Sequence, residues 1–406
     1  MFSMPPVKSP RGHGSNMGEL EDHPAYKAGT WIWYVGSPVL LTVGTVGNIL
    51  SIIVLLRPTL RRFTTMFYLT CLSFGDLFSL YTGLLRYWIH QQFNVDVRNA
   101  SNASCKIHTF LVYLSLDFTV WVLVSVTVDR CLSVSLPFRA RRMCNRKTAV
   151  AVIVTLFIVM CVKNMHFLWT VSLVHTWEFQ CHANTPAHAH FISYVWPWID
   201  MVIFCIIPFS TMIICNIKII YEMISSHNKL NAHKPDVVRF PSVTEPQHPP
   251  TLNVDSPEQA PPSEYALTPN FRRQRSVRSR TTSESSNPAA TNTKTSKRHI
   301  NSLTAMLLVV NTVFLLTTSP IQIVLIGEEY WFPERDTSVD DVAWYTFWWA
   351  LVNILQYMNN AIHFFLYCLT GPKFRNEFYQ LFRRKNKVCH DNAVARERTL
   401  KEQTEF

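Results

Sequence analysis

The sequence predicts an all-α fold, a seven-transmembrane helix bundle, on three observations, and a resemblance given below adds a short amphipathic eighth helix. Seven apolar runs, at about Trp31–Leu56, Met66–Ile89, Cys105–Leu136, Thr148–Val171, Phe191–Met223, Ile300–Ile326 and Val342–Leu369, are each long enough to cross a bilayer. A hydrocarbon core of about 30 Å needs roughly 20 helical residues, and every run supplies them. The runs do not alternate in polarity as barrel strands would, and backbone groups in lipid must be paired within the segment, so each run reads as a helix. The basic residues, finally, fall on alternate connections.

Those connections set the expected orientation. Arg57, Arg61 and Arg62 follow the first run; Arg139, Arg141, Arg142, Arg146 and Lys147 follow the third. A third basic set, from Arg272 to Arg298, precedes the sixth run, and Lys373, Arg375, Arg383, Arg384, Lys385 and Lys387 follow the seventh. Positive loops stay cytoplasmic, which puts the N-terminus outside and the C-terminus inside. The formal charge of +11 is then topology charge, helped by anionic inner-leaflet lipid, and no nucleic-acid partner is expected. Mean hydropathy is only +0.08 because polar regions dilute the apolar runs. The expected division is an extracellular tail at 1–30, a membrane domain at 31–384 and a cytoplasmic tail at 385–406. Within the domain, residues 225–298 are rich in Pro, Ser, Thr, Asn and His, too polar to offset ordering entropy, and read as a disordered cytoplasmic loop.

Two sequons, Asn99-Ala-Ser101 and Asn102-Ala-Ser104, fall on the expected outer side and make Asn99 and Asn102 glycosylation candidates. The first 20 residues are polar and broken by prolines, so the first helix is expected to act as an uncleaved signal anchor. Of ten cysteines, most lie in or beside apolar helices as small buried hydrophobes. Cys105 and Cys181 instead share the oxidising side, where a disulfide persists. Cys389, among basic residues past the last helix, is a palmitoylation candidate, with an unmodified thiol as the alternative.

Polar residues within the runs carry the functional argument, because ionisable groups in a membrane are costly and face a cavity or a partner. Asp76 lies mid-run with no basic residue within a turn, and Asn48, Asn359, Asn360 and His363 sit at comparable positions in the first and seventh runs. One reading is a hydrogen-bond knot holding helices together. The other, favoured by a lone carboxylate, is a hydrated pocket with a sodium ion near Asp76; no other cofactor is expected. Asp117 and Lys163 are opposite charges in the third and fourth runs.

Asp129-Arg130-Cys131 closes the third run, followed by Pro137-Phe138, and Arg130 lies 25 residues after Cys105. That arrangement resembles class A (rhodopsin-like) G-protein-coupled receptors. Asn48 and Asp76 resemble the family's polar anchors in the first two helices, and Pro208 its fifth-helix proline. Phe314-Leu-Leu-Thr-Thr-Ser-Pro320 resembles F-x-x-C-W-x-P, His363-Phe-Phe-Leu-Tyr367 resembles N-P-x-x-Y, and Gly371–Phe378 is similar to the amphipathic eighth helix. The run Asn360–Gly371 resembles the ending common among invertebrate neuropeptide receptors, FMRFamide-receptor-like ones included. The resemblance implies a plasma-membrane receptor that binds a neuropeptide and activates a heterotrimeric G protein, with receptor kinase and arrestin as further partners. It implies a Cys105–Cys181 disulfide, facing positions for Asp117 and Lys163, and coupling through Asp129, Arg130, Pro137, Phe138, Pro208, Phe314, Pro320 and Tyr367. A salt bridge between Asp117 and Lys163 is expected, with snorkelling or a turn into the ligand cavity as rivals.

Departures from the family pattern are informative. Thr318 stands in place of the toggle tryptophan, His363 and Phe364 in place of Asn-Pro, and Asn216 in place of a fifth-helix tyrosine. The seventh run has no lysine for a retinal Schiff base, and Val112 occupies the position of the aspartate that pairs amines. Trp121 apart, every tryptophan falls at or above the outer helix ends. An interfacial belt would occupy both faces, so a ring-lined binding mouth is expected. Trp88, Trp196, Trp348 and Trp349 are its candidate rings, Glu178, Asp200 and Glu328 its candidate acids, and Val112 and Gln322 further lining residues. Acid beside aromatic suits a peptide ending in arginine and an aromatic residue.

No enzyme motif is present: no G-x-G-x-x-G after a strand, no P-loop, no H-E-x-x-H. His182, His188 and His190 could meet a metal but lack supporting partners in sequence, so no metal site is assigned. A transporter or channel is the alternative from another class; such proteins show internal repeats, which are not seen here. The stretch from Arg272 to Ser283 is basic and serine-rich, a candidate for arginine-directed kinases between Ser276 and Ser286.

Overall fold

Seven helices and an eighth short one follow in the expected order in a computed structural model, which describes residues 15–175, 179–232, 288–332 and 338–381. The first helix is Pro24–Leu55 and the third Asn102–Ser135; the fourth is Arg146–Thr170 and the fifth Pro186–Ser225. The second runs from Thr64–Ser79 through Leu80–Leu84 into Leu85–Phe93. The sixth is Pro288–Trp331 and the seventh Val339–Thr370, with the eighth over residues 372–381. An antiparallel hairpin, β1 (Val171–His175) and β2 (Phe179–Ala183), joins the fourth and fifth helices with Leu173 opposite Cys181.

Burial is arranged as a bilayer demands. The fourth helix turns Val154, Phe157, Ile158 and Val162 outward, and the fifth exposes Ile213, Ile214, Ile217 and Tyr221. Exposed apolar stripes of this length have no place in water and mark a lipid-facing surface. Among the described residues, five helices are long and apolar enough by length and composition to cross a membrane. The second and seventh are not among them, and they bury Asp76, Arg86, Asn353, Gln356 and His363 instead.

Prolines shape the helices locally. π-helical stretches at Ile32–Gly36, Phe191–Val195 and Met201–Ile206 are each followed, two residues on, by Pro38, Pro197 or Pro208. A proline lacks the N–H and crowds the preceding carbonyl, and a widened turn relieves both faults. The stretch at Leu80–Leu84 contains Gly83, where an added Cβ would collide with the end of the Tyr357 side chain, so glycine leaves that ring its place between the second and seventh helices. The seventh helix runs unbroken, as the loss of the Asn-Pro pair predicts.

Helix also reaches past the expected bounds. Ser15–Asp22 and Pro24–Trp31, within the expected tail, are helical, and Leu20 and Ala25 pack against Ala343 of the seventh helix. His23 Nε2 lies 3.1 Å from Asp340, fixing that attachment. The fifth and sixth helices extend to Ala232 and back to Pro288, into both ends of the segment expected to be disordered. Once begun, a helix gains one bond per added residue, so it continues past its apolar stretch. The basic stretch at Arg272–Ser283, Glu178 and Cys389 lie outside the described residues.

Candidate functional site

At one end of the bundle the Cys105–Cys181 disulfide pins the hairpin to the third helix, Cα to Cα 5.4 Å. Asn99 Oδ1 accepts from the Cys181 N–H at 2.9 Å and Asn102 Oδ1 from the Leu173 N–H at 3.3 Å. Both sequon asparagines thus also hold the hairpin in place. The bridge closes a long loop and constrains the unfolded chain, so Cys181→Ser is expected to cost about 2–5 kcal/mol, read as a lower thermal midpoint and reduced surface expression.

Beneath the hairpin the indole of Trp196 is buried against His166, Phe167 and Tyr113. Its face lies 5.0 Å from Lys163 Nζ. That ammonium is 2.9 Å from Asp117 Oδ2, the expected pair, and 2.6 Å from Asp200 Oδ1; Asn164 donates to Asp117 at 2.6 Å. One cation therefore serves carboxylates of the third and fifth helices from the fourth, with all three side chains buried.

The candidate ligand residues do not surround one opening. Trp196, Asp200, Gln322 and Trp349 are buried, Trp349 stacking on Tyr345 at 5.9 Å. An indole carries a large apolar area, and covering it under the hairpin or between helices is favoured over leaving it at a wet mouth. Trp88 and Val112 are half-buried. Trp348 is exposed and, with Pro320, Trp331, Phe332 and Val352, lines an apolar cleft of about 490 Å³ between the sixth and seventh helices. The Glu328 side chain lies outside the described residues.

A second buried charge cluster, at the turn after the second helix, carries no signal in the chain order. Asp96 lies 3.2 Å from Arg86 Nε and 2.7 Å from Arg98 Nη2, and Arg86 also covers the Tyr87 ring at 4.9 Å. Burial alone would raise the Asp96 carboxyl, but the two guanidiniums outweigh it and hold the carboxyl well below the usual carboxylate range. A depressed folded value stabilises above the unfolded value of about 3.9 and loses that contribution as pH falls towards the folded one. Asp96→Asn is therefore expected to lower the thermal midpoint at neutral pH by the equivalent of about 3 kcal/mol, with the difference shrinking below about pH 4.

Midway along the bundle, polar side chains tie helices in pairs. Asn48 Nδ2 donates to the Asn360 carbonyl at 2.8 Å, first helix to seventh. His363 Nδ1 lies 2.7 Å from Asp76 Oδ2, seventh to second, with both groups buried. Asn311 bonds Thr127 at 3.0 Å and Asn216 at 2.9 Å, sixth to third and fifth, so Asn216 has a partner in place of the family's tyrosine. Thr318 and Phe314 share the wall of a small cavity with Gln356, Asn359, Asn360 and His363. Phe314 meets Phe209, next to Pro208, edge-on at 5.4 Å, and Tyr367 is buried against Phe374 of the eighth helix at 5.6 Å.

At the opposite end Arg130 Nη2 lies 2.9 Å from Asp129 Oδ2, which also accepts from Thr64 Oγ1 of the second helix at 3.2 Å. Pro137 starts a short helix, Pro137–Met143, where a missing N–H is harmless, and Phe138 is 89% exposed. Arg57 Nε meets Glu377 Oε2 at 2.7 Å and joins the first connection to the eighth helix. Phe364, standing where the family has proline, packs on Phe374 and Phe378 of that helix.

Residues 47–367 match the seven transmembrane receptor (rhodopsin family). The chain is 31% identical to G-protein coupled receptor 65 of Homo sapiens over 176 residues, 41% of this chain and 50% of that one. It is 27% identical to C-C chemokine receptor type 1 of Homo sapiens over 198 residues, 47% and 54%. With G-protein coupled receptor 15 of Mus musculus it shares 23% over 199 residues, 47% and 54%. The chain spans about half the length of the curated relatives it matches. Such proteins are receptors and not enzymes, and the helical bundle with its apolar outer surface is a multi-pass membrane architecture. With the match covering most of the chain, this protein belongs to the rhodopsin-like family of seven-transmembrane, G-protein-coupled receptors.

Proposed function

We propose that this receptor sits in the plasma membrane with its N-terminus outside, binds an extracellular neuropeptide and activates a heterotrimeric G protein. The observation that carries the reading is the Asp129–Arg130 pair, held to Thr64 at the end opposite the disulfide. The pair lies within the third helix, and the Asp129–Thr64 bond ties it to the second, a restraint that a helix movement would release. Pro320, inside the sixth helix, removes one backbone bond and provides the pivot. Phe314 repacks against Phe209 as that helix moves, and exposed Phe138 docks beside the released Arg130. The ligand shifts this equilibrium only by binding the two arrangements with different affinity. A peptide is supported by exposed Trp348 near the start of the seventh helix and by relatives named as chemokine receptors. FMRFamide-like peptides, which end in arginine and an aromatic residue, are the first to test. Glycans on Asn99 and Asn102, a palmitoyl group on Cys389 and kinase and arrestin regulation through Ser276–Ser286 belong to the same proposal.

A neuropeptide library applied to cells expressing the full chain, read by second messenger and by ion flux, tests it. A peptide-evoked second-messenger response supports the reading, and flux without one would favour a transporter or channel. The apolar cleft at Trp348 and Trp331 favours a lipophilic ligand as the second reading, with one relative named as a cysteinyl leukotriene receptor. Response to lipid extracts and to no peptide would select it.

A further inference from the structure

Asp76 is the carboxylate that the sequence associates with a sodium ion, and the residues around it permit a test of that fit. A hard cation is held by several converging oxygens, with imidazole left to softer metals. Asp76 Oδ1, Ser73 Oγ and Asn359 Oδ1 have no hydrogen-bond partner, so oxygen atoms are present. The other carboxylate oxygen is taken: His363 Nδ1 lies 2.7 Å from Asp76 Oδ2. A cation would need Asp76 ionised; its oxygen then only accepts, Nδ1 carries the proton, and the positive end of that N–H points where the cation would approach. His363 also lies face-parallel to Tyr367, the centroids 6.0 Å apart and the planes 9° from parallel, and its ring is 1% exposed. The cavity beside it, lined by His363, Asn359, Asn360, Gln356 and Thr318 but not by Asp76, holds about 10 Å³. That is room for about one water, too little for an ion with its own water shell.

The family's asparagine at this position would present an amide oxygen; histidine presents none. We propose that His363 stands in for the ion. The imidazole is the resident partner of Asp76, clamping the seventh helix to the second by a side-chain bond, and sodium neither makes that link nor loosens it. The inference rests on the bundle geometry alone and stands whether the ligand is a peptide or a lipid.

The test uses the full chain purified in detergent, with its thermal midpoint measured in sodium chloride and in choline chloride at equal ionic strength. Wild type is expected to melt alike in both. His363→Asn, which supplies an amide oxygen and vacates the ring's volume, is expected to gain a saturable rise of several degrees in sodium, because a ligand that binds only the folded state stabilises by mass action. Adding Asp76→Asn should remove that rise. A saturable sodium-dependent rise in wild type, lost in Asp76→Asn, would overturn the proposal. So would a folded His363→Asn no more responsive than wild type. Should His363→Asn fail to fold, sodium-23 relaxation on wild type and Asp76→Asn decides: equal line widths support the proposal, and broadening by wild type alone refutes it.

Discussion

Arg130→Ala should abolish G-protein activation while leaving ligand binding and surface level intact. Arg130 lies at the end remote from the hairpin and is held there by Asp129, whose carboxylate is shared with Thr64. Its Nε has no partner in this arrangement, so the guanidinium keeps donors for a new acceptor once the pair opens. The reciprocal variant, Asp129→Ala, removes the restraint and should raise basal activity. A hydrogen bond to a charged group contributes about 1.5–3 kcal/mol, which corresponds to a shift of roughly ten- to a hundredfold in a two-state equilibrium. Second-messenger assays at matched surface expression measure both. Normal signalling by Arg130→Ala would exclude the proposed coupling mechanism for this chain.

The largest expected effect on stability belongs to Lys163. Lys163→Met leaves Asp117 and Asp200 buried near one another with no cation between them. Breaking a buried ion pair by removing one partner costs about 3–5 kcal/mol, because the remaining charge is uncompensated. Here two charges remain, so the upper part of that range is expected, read as a lower thermal midpoint and reduced surface expression. Lys163→Met combined with Asp117→Asn and Asp200→Asn should recover most of the loss, since neutral polar groups cost less to bury than unpaired ions. Removing Lys163 without lowering the midpoint would show that the two carboxylates are already compensated by another route.

Much of this architecture was legible in the amino-acid order. Bilayer thickness imposes a minimum run length, and the absence of water forces the backbone of each run to pair with itself, so Trp31–Leu56 or Thr148–Val171 could hardly be anything but helices. The resemblance set Asp117 and Lys163 on facing helices with pairing and snorkelling both open, and packing decides for the pair at 2.9 Å. Chain order also carried the departures of the seventh run, where a missing proline meant an unbroken helix.

What the sequence by itself left undecided were the third partners. Asp200 read as an acid for a ligand, and only the packing of the fourth against the fifth helix places it 2.6 Å from Lys163. Trp196 and Trp349 read as the walls of a mouth and are core residues, because the amino-acid order shows where an indole lies along a helix and not which face it occupies. Nothing in the chain order singles out Asp96, which the turn after the second helix sets between Arg86 and Arg98. His363, 287 positions from Asp76, meets it only because the seventh helix closes the bundle against the second. Local pattern and solvent determined the helices. Side-chain partners depended on rotation and depth of whole helices relative to one another, which are set by the sum of all contacts and by no single segment.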